Sequence, residues 1–299
     1  MTSPMRRRSI SDDCPDFRHL RLSVIKILAV DIDGTLLDSR GRLPPVHKDA
    51  MAEAAASGVI LALVTGRSFH FTTHVTGELD LPLTVIVNNG AVVKNAAGKT
   101  LMRQLLPRET ALHVLASVEG FDDSVAVVFD RSDNRQIVFE HMDWTHPNRR
   151  GYFEKNKAYI VSASPLAEAI DEDPIQVMFN GSVQPMRRLA AMLRGLPGAD
   201  RFSVALTEYE PRDFSLLDVN CAGCTKGSAL ARWAASLGVN RGEVMAVGDN
   251  LNDLAMLEFA GRPVVMGNAA PELKARGFPA TGTNDEGGLA AAIRTVLKK

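Results

Sequence analysis

Short, nearly unbroken apolar runs that end in polar residues constrain the fold of this chain more than any other feature. The clearest is "VIKILAVD", which stops at Asp31, and the others are "VILALVTG", "LTVIVNNG" and "EVMAVGD". Strands of a parallel sheet are covered on both faces, so they read as continuous apolar runs. Helix-like segments separate these runs, such as "PVHKDAMAEAAASG", with a proline near its start and a glycine just past its end. This alternation predicts an α/β fold with a doubly wound parallel sheet.

The middle of the chain has a different pattern. After Gly90, "AVVKNAAGKTLMRQL" and "SVAVVFDRSDNRQIVFEH" each look like two strands joined by a turn, which predicts antiparallel hairpins. The parallel pattern returns with "TKGSALARWAASLG" and "EVMAVGD". We therefore predict a flexible N-terminal extension over 1–23, a core made of 24–90 and 221–299, and an inserted α+β cap over 91–220.

Composition and charge exclude several classes of protein. The chain has 299 residues, 45% of them hydrophobic, and a formal net charge of −1, so no basic excess indicates a nucleic-acid or anionic-membrane partner. No segment approaches the ~18 apolar residues of a membrane span, and "MTSPMRRRSISDDCPDFRHL" lacks the apolar core of a secretory signal. Three cysteines, Cys14, Cys221 and Cys224, are too few for a disulfide framework. These features predict a cytoplasmic protein. They do not determine the oligomeric state, for which a monomer is slightly favoured.

Polar side chains follow several of the predicted strands at the point where each strand ends. Asp31 and Asp33 follow the first strand, Thr65 follows the second, Asp249 follows "EVMAVG", and Lys226 opens the helix after the insert. In an open parallel sheet, ligands bind outside the carboxyl ends of the strands. We therefore expect these side chains to meet at one edge of the sheet.

Phosphoryl transfer to a carboxylate accounts for the three acidic residues. The attacking oxygen and the phosphate are both negative, so a hard cation must lie between them. Mg²⁺ prefers oxygen ligands, which Asp31 and Asp249 can supply. A glycine after Asp33 lets the chain turn, so that Asp31 and Asp33 approach the same phosphate. One of this pair can then act as the nucleophile while the other transfers protons.

The remaining phosphate oxygens require hydrogen-bond donors. The candidates are the Thr65 hydroxyl, the backbone N–H groups of Ile32 and Gly66, and the Lys226 ammonium. Lys226 lies at a helix start that Thr225 is expected to cap, where the helix dipole also favours an anion.

Four segments together resemble the motifs of the haloacid dehalogenase superfamily: "DIDGT" at 31–35, "TGRS" at 65–68, "TKGSAL" at 225–230 and "GDNLND" at 248–253. The insert, with "NNGA" at 88–91 and "AMLEFAG" at 255–261, resembles the Cof-type branch, which has a large α/β cap of type IIB. The resemblance extends over about residues 24–299 and implies a Rossmann-like core with the cap inserted between the second and third motifs.

The resemblance also implies roles for the acidic residues. Asp31 would be the nucleophile that forms an aspartyl-phosphate. Asp33 would protonate the leaving oxygen and then deprotonate the attacking water, while its backbone carbonyl binds Mg²⁺. Asp249 would be a further metal ligand. Asp253 would orient Lys226 or a metal-bound water. By the same resemblance, Thr65, Gly66, Lys226 and Asn252 would contact phosphate.

These roles predict a Mg²⁺-dependent phosphatase acting on small phosphorylated metabolites. Sugar phosphates are the first candidates, followed by pyridoxal phosphate and flavin mononucleotide, because the family includes such enzymes. A phosphomutase or phosphotransferase using the same intermediate is an alternative, and so is a non-catalytic regulator that binds a phosphorylated ligand. Retention of two repelling carboxylates argues against the non-catalytic protein.

Some residues allow both a functional and an ordinary structural interpretation. The "CAGC" segment has redox spacing at Cys221 and Cys224, but two structural thiols are favoured because a second ligand pair is missing nearby. Three arginines of the insert region, Arg149, Arg150 and Arg212, are candidates for substrate contacts or simply surface residues.

Overall fold

The structure is a computed structural model that describes residues 24–118, 120–121, 124–131 and 135–297. The extension predicted over residues 1–23 lies outside the described residues, as does Cys14. No helix in these ranges is long and apolar enough to span a membrane.

The described residues form strands and α-helices in the following chain order. The strands are β1 Ile27–Val30, β2 Ile60–Val64, β3 Leu83–Val87, β4 Val92–Asn95, β5 Thr100–Arg103, β6 Val125–Val128, β7 Ile137–Phe139, β8 Ile160–Ser162, β9 Gln176–Gly181, β10 Phe202–Tyr209, β11 Phe214–Cys221, β12 Val244–Gly248 and β13 Arg262–Val265. The helices are α1 Pro45–Ala56, α2 Thr73–Leu79, α3 Arg108–Ala116, α4 Pro147–Asn156, α5 Val183–Arg194, α6 Lys226–Ser236, α7 Leu254–Phe259, α8 Pro271–Lys274 and α9 Gly288–Leu297.

The first sheet has seven strands in the order β13-β12-β1-β2-β3-β4-β5, and the five strands from β13 to β3 pair in parallel. All four residues of β1 are buried, and they alternate between two apolar clusters on opposite faces. Leu28 packs on the side of α1 and α9, while Ile27 packs on the side of α6 and α7. Burial on both faces explains the unbroken apolar runs. The predicted doubly wound α/β fold is confirmed.

The second sheet has six strands in the order β10-β11-β9-β6-β7-β8, and every pair except β7 with β8 is antiparallel. Helices α3 and α5 cover one face, where Val114 and Leu189 pack with Leu217 and Val219 of β11. Residues Leu216, Asp218 and Asn220 alternate with these, so they point to the opposite face, toward the first sheet.

The strands β4 and β5 lie within the range predicted for the insert, yet they extend the first sheet. Val92 of β4 pairs with Val87 of β3 across a tight turn at 88–90. A hairpin pattern in a sequence predicts two paired strands, but it does not indicate which sheet they join. Helix α4 had no sequence signal either, because "PNRRGYFEKN" is polar and contains a glycine. Its Tyr152 and Phe153 nevertheless pack beside Trp144.

Candidate active site

Parallel pairing of β1 with β12 brings two acidic segments to one edge of the sheet. Val30 is in register with Val247, and each strand continues directly into its polar loop. One carboxylate oxygen from each of Asp31, Asp249 and Asp253 lies within 4.8 Å of the others. Thr35 donates to Oδ1 of Asp249 over 3.1 Å, which fixes that carboxylate. The oxygens of Asp31 and Asp249 in this cluster are ligands of the kind that Mg²⁺ prefers.

Lys226 supplies a positive charge beside the acidic cluster. Its Nζ donates to Oδ1 of Asp31 over 2.7 Å and to Oδ1 of Asp253 over 2.6 Å, and its side chain is only 1% exposed. Lys226 is the first residue of α6, which Thr225 caps by accepting the backbone N–H of Ser228. The predicted N-cap of α6 is confirmed, and it fixes the backbone of Lys226 at the edge of the sheet.

Burial shifts the pKa values of three groups in the cluster, Asp31, Asp249 and Lys226. It raises the pKa of Asp31 to about 7, although the Lys226 charge acts in the other direction. Burial and then the Asp31 charge hold the pKa of Asp249 well above its usual value. For Lys226, burial lowers the pKa, but Asp253 and Asp31 outweigh this and the pKa is raised. A divalent cation between Asp31 and Asp249 would favour their ionised forms.

Asp253 is fully buried, and both of its oxygens are engaged within the protein. Oδ1 accepts from Lys226, and Oδ2 accepts the backbone N–H groups of Asp249 and Asn250, each over 3.0 Å. This arrangement suits a residue that positions Lys226 and the loop of Asp249 better than one that coordinates a metal.

The side chain of Asp33 points to Arg67, a residue that the sequence analysis did not select. Arg67 Nε donates to Oδ2 of Asp33 over 2.8 Å, and a terminal guanidinium nitrogen donates to Oδ1 over 2.6 Å. The Asp33 side chain is 38% exposed, in contrast to the buried Asp31. Arg67 lies inside the "TGRS" segment, and this position within a motif is the sequence signal that could have identified it.

Three of the predicted phosphate-contacting residues, Thr65, Gly66 and Asn252, lie beside a shared neighbour, Asn89. Thr65 Oγ1 accepts the backbone N–H of Arg67 over 3.1 Å, which leaves its own proton free to donate elsewhere. A Cβ on Gly66 would approach Oδ1 of Asn89 to 3.2 Å, and Asn252 Nδ2 donates to the same oxygen over 3.0 Å. Ile32 follows Asp31 directly, with its side chain buried in the core.

The second sheet reaches this edge through Tyr209, which no sequence signal indicated. Asn250 Nδ2 donates to the carbonyl of Glu208 over 3.4 Å. Glu208 and Glu210 bind Arg187 on the helix-covered face, so Tyr209 between them points toward the first sheet. Burial and the Asp33 and Asp31 charges raise the pKa of its phenol, which therefore stays protonated and able to donate.

The other candidate residues remain as predictions. Burial raises the pKa of Cys224 to about 12, which disfavours a reactive thiolate and leaves the role of Cys221 open. Arg149 is bound to the side chain and carbonyl of Asn180 in β9, while Arg150 and Arg212 are exposed.

Gly34 offers a test of how closely the loop after β1 fits the acidic cluster. We expect Gly34→Ala to weaken Mg²⁺ binding at least tenfold (~1.4 kcal/mol) and to destabilise the fold more than Gly41→Ala. Both glycines have left-handed φ, +80° and +72°, so both changes carry a strain of roughly 1–2 kcal/mol. Only at Gly34 would a Cβ overlap the Asp249 carboxylate, because nothing lies within 4 Å at Gly41. Calorimetric Mg²⁺ titration and urea unfolding measure both effects, and equal losses in the two variants would contradict the expected contact.

Known proteins resemble this chain over most of its length. Residues 28–293 match the family model described as haloacid dehalogenase-like hydrolase. The HMP-PP phosphatase of Klebsiella pneumoniae is 32% identical over 253 residues, which cover 84% of this chain and 87% of that protein. The 5-amino-6-(5-phospho-D-ribitylamino)uracil phosphatase YwtE of Bacillus subtilis is 24% identical, with 91% and 98% covered.

A solved structure, the HAD subclass IIB sugar phosphatase BT4131, has the same fold. It superposes with a TM-score of 0.73 at 21% identity, covering 90% of this chain and 98% of that one. The resemblance inferred from the four motifs is confirmed, and so is the expectation of an enzyme of the phosphatase type. The chain therefore belongs to the haloacid dehalogenase-like hydrolase family.

Proposed function

We propose that this protein is a Mg²⁺-dependent phosphatase that hydrolyses small phosphorylated metabolites through an aspartyl-phosphate on Asp31. The observation that carries the proposal is a cluster of charged side chains. In it, Lys226 donates to Asp31 and Asp253, and a carboxylate oxygen of Asp249 lies within 4.8 Å of an oxygen of each of those two residues. The carboxylates of Asp31 and Asp249 lie at adjoining strand ends and repel each other, which is costly to maintain unless they bind a cation.

Asp31 and Asp33 divide the chemistry between them. Lys226 holds Oδ1 of Asp31, and the carboxylate attacks phosphorus, so that a new P–O bond forms as the ester P–O bond breaks. Asp33 donates its proton to the leaving oxygen. In the second step it takes a proton from water, whose oxygen attacks phosphorus and releases phosphate and free Asp31.

Asp31, Asp249 and the backbone carbonyl of Asp33 would hold Mg²⁺, as the family resemblance implies. The ion, when bound, neutralises charge between the attacking carboxylate and the phosphate. The Thr65 hydroxyl, the Lys226 ammonium and the Asn252 amide donate to the phosphate oxygens, as do the backbone N–H groups of Ile32 and Gly66. These donors match a tetrahedral dianion that offers several acceptor oxygens.

We further propose that the second sheet is a cap that selects the substrate. Residues 24–90 and 221–299 supply the proposed catalytic groups, with β4 and β5 added to their sheet. Tyr209 reaches the acidic edge from the cap and would donate to the leaving group of the substrate. Sugar phosphates are the first candidates, and the two phosphatase relatives add HMP-PP and 5-amino-6-(5-phospho-D-ribitylamino)uracil to the list. The cytoplasmic location and the monomeric state stay predictions.

A panel of phosphorylated metabolites, assayed for phosphate release with Mg²⁺ and with EDTA, tests the proposal. We expect release to require Mg²⁺ and to be restored when the metal is added back. Assays with an excess of an acceptor alcohol separate hydrolysis from phosphotransfer, because a transferase would form a new ester. Ligand binding without any metal-dependent release above an Asp31→Asn control would instead support a non-catalytic binding protein.

Arg67 is expected to orient Asp33 for proton transfer. Arg67→Lys should lower kcat about tenfold or more, because lysine keeps the charge but loses the two-point contact with the carboxylate. Arg294→Lys is the matched control, since Arg294 makes the same two-point contact with Glu53 on the surface. Steady-state kinetics measure both variants, and equal kcat values for Arg67→Lys and the wild type would contradict this role.

A further inference from the structure

The turn at 88–90 contacts three of the four segments that are proposed to bind phosphate, those of Thr65, Lys226 and Asn252. The backbone N–H of Asn89 donates to the Thr65 carbonyl over 3.0 Å, and that of Asn88 donates to the Arg67 carbonyl over 2.9 Å. Gly90 packs so tightly against the carbonyl of Thr225, next to Lys226, that a Cβ would collide with it. Asn88 and Asn89 are both in the left-handed conformation, with φ of 50° and 53°, which indicates a demanding local geometry.

The side chain of Asn89 links this turn to the second sheet. Its Oδ1 accepts from Asn252 Nδ2 over 3.0 Å, and its Nδ2 donates to Oδ2 of Asp218 over 2.7 Å. An amide can face either way, but above its pKa of about 7 the Asp218 carboxylate is ionised and only accepts hydrogen bonds. The carboxylate of Asp218 therefore decides which end of the Asn89 amide faces Asn252.

Asp218 lies on β11 and is only 4% exposed. Its Oδ1 accepts from Gln176 Nε2 over 2.7 Å, which turns Oε1 of Gln176 toward Nδ2 of Asn88 at 3.2 Å. Burial raises the pKa of Asp218 to about 7, and the hydrogen bond from Asn89 acts in the opposite direction. Two amide donors thus hold this buried carboxylate, which has no place in the proposed chemistry.

We propose that Asp218 is a positioning residue: its carboxylate sets the direction of the amide chain through Asn89 and so presents the Nδ2 protons of Asn252 to the phosphate. This inference rests on the proposed function, since it takes Asn252 as a phosphate contact. Nδ2 carries two protons, so it can donate to Asn89 and to the phosphate together. If the Asn252 amide were inverted, its oxygen would face the phosphate and repel it.

Exchange of the two partners separates this role from a general structural one. In Asp218→Asn, the new amide cannot accept from both Asn89 and Gln176, and in Asn89→Asp two carboxylates face each other. In the double variant, the residue 218 amide donates to the residue 89 carboxylate and accepts from Gln176, while Asn252 still donates to residue 89. Every hydrogen bond of this chain of amides is therefore restored, with the negative charge moved from residue 218 to residue 89.

The affinity for inorganic phosphate, measured by calorimetry with Mg²⁺ present, is the main readout. We expect each single variant to bind phosphate about tenfold more weakly and the double variant to bind at least about fivefold more tightly than either single variant. KM for a phosphate ester should follow the same order. Asp213→Asn is the control, because Asp213 lies in the same hairpin and, among the described residues, its side chain accepts only the backbone N–H of Val183.

Each outcome is decisive. Unchanged phosphate affinity in the single variants, or additive losses in the double variant, would overturn the proposal. If a single variant fails to fold, a double variant that folds and binds phosphate supports it, and a double variant that also fails overturns it. A wild-type protein that binds phosphate but hydrolyses no ester would overturn the phosphatase proposal alone, whereas one that does not bind phosphate would overturn both.

Discussion

Asp31→Asn is expected to lower kcat/KM for phosphate release by at least about 10⁴-fold, because the amide cannot form the aspartyl-phosphate. The fold should be retained, since asparagine has the same shape and Lys226 keeps its partner Asp253. Steady-state assays measure the loss, and acid quenching after mixing with a ³²P-labelled substrate detects the phosphoenzyme, which should be absent from the variant.

Asp38→Asn is the matched control for this experiment. Asp38 lies a few residues further along the same loop, where it binds the backbone and side chain of Arg42. The control should keep full activity and form the phosphoenzyme. If Asp31→Asn retained more than about 1% of the wild-type activity, Asp31 could not be the nucleophile.

Lys226→Met is expected to destabilise the folded protein by about 3–5 kcal/mol, because it leaves Asp31 and Asp253 buried without their shared counter-ion. Methionine fills a similar volume, so the loss reports charge rather than a cavity. The raised pKa of Lys226 means that its contribution is complete below pH of about 10 and is lost as the pH rises further. Urea unfolding at neutral pH measures the change in stability. Enzyme activity and phosphate affinity should both fall as well.

Lys26→Met serves as the control for Lys226→Met. Lys26 Nζ also makes a short ion pair, with Glu243 at 2.7 Å, but its side chain is 53% exposed. An exposed pair contributes only about 0–1 kcal/mol, so this variant should unfold almost as the wild type does. Similar losses of stability in the two variants would show that burial of the Asp31 and Asp253 charges is not the cause.

Much of the candidate site could be predicted from sequence because it depends on local pattern. Apolar runs define the strands, and polar residues directly after them lie at the carboxyl edge of a parallel sheet. Asp31, Lys226, Asp249 and Asp253 meet there as expected, since the register of β1 and β12 leaves little freedom.

Other features depend on which surfaces pack together in the folded protein. No short sequence pattern predicts these features. The membership of β4 and β5 in the first sheet is decided by pairing with β3, although their hairpin pattern would suit either sheet. Tyr209 was not predicted, because a tyrosine at a strand end has no special pattern.

The sequence by itself determined the α/β class, the position of the polar residues directly after the strands and the chemical character of the acidic edge, because periodicity and the ends of strands are properties of short segments. Only the tertiary structure decided that Arg67 holds Asp33 and that Asp218 of the second sheet faces Asn89. These contacts join residues far apart in the chain, and their energy depends on burial and on hydrogen-bond direction, which exist only once the two sheets pack together.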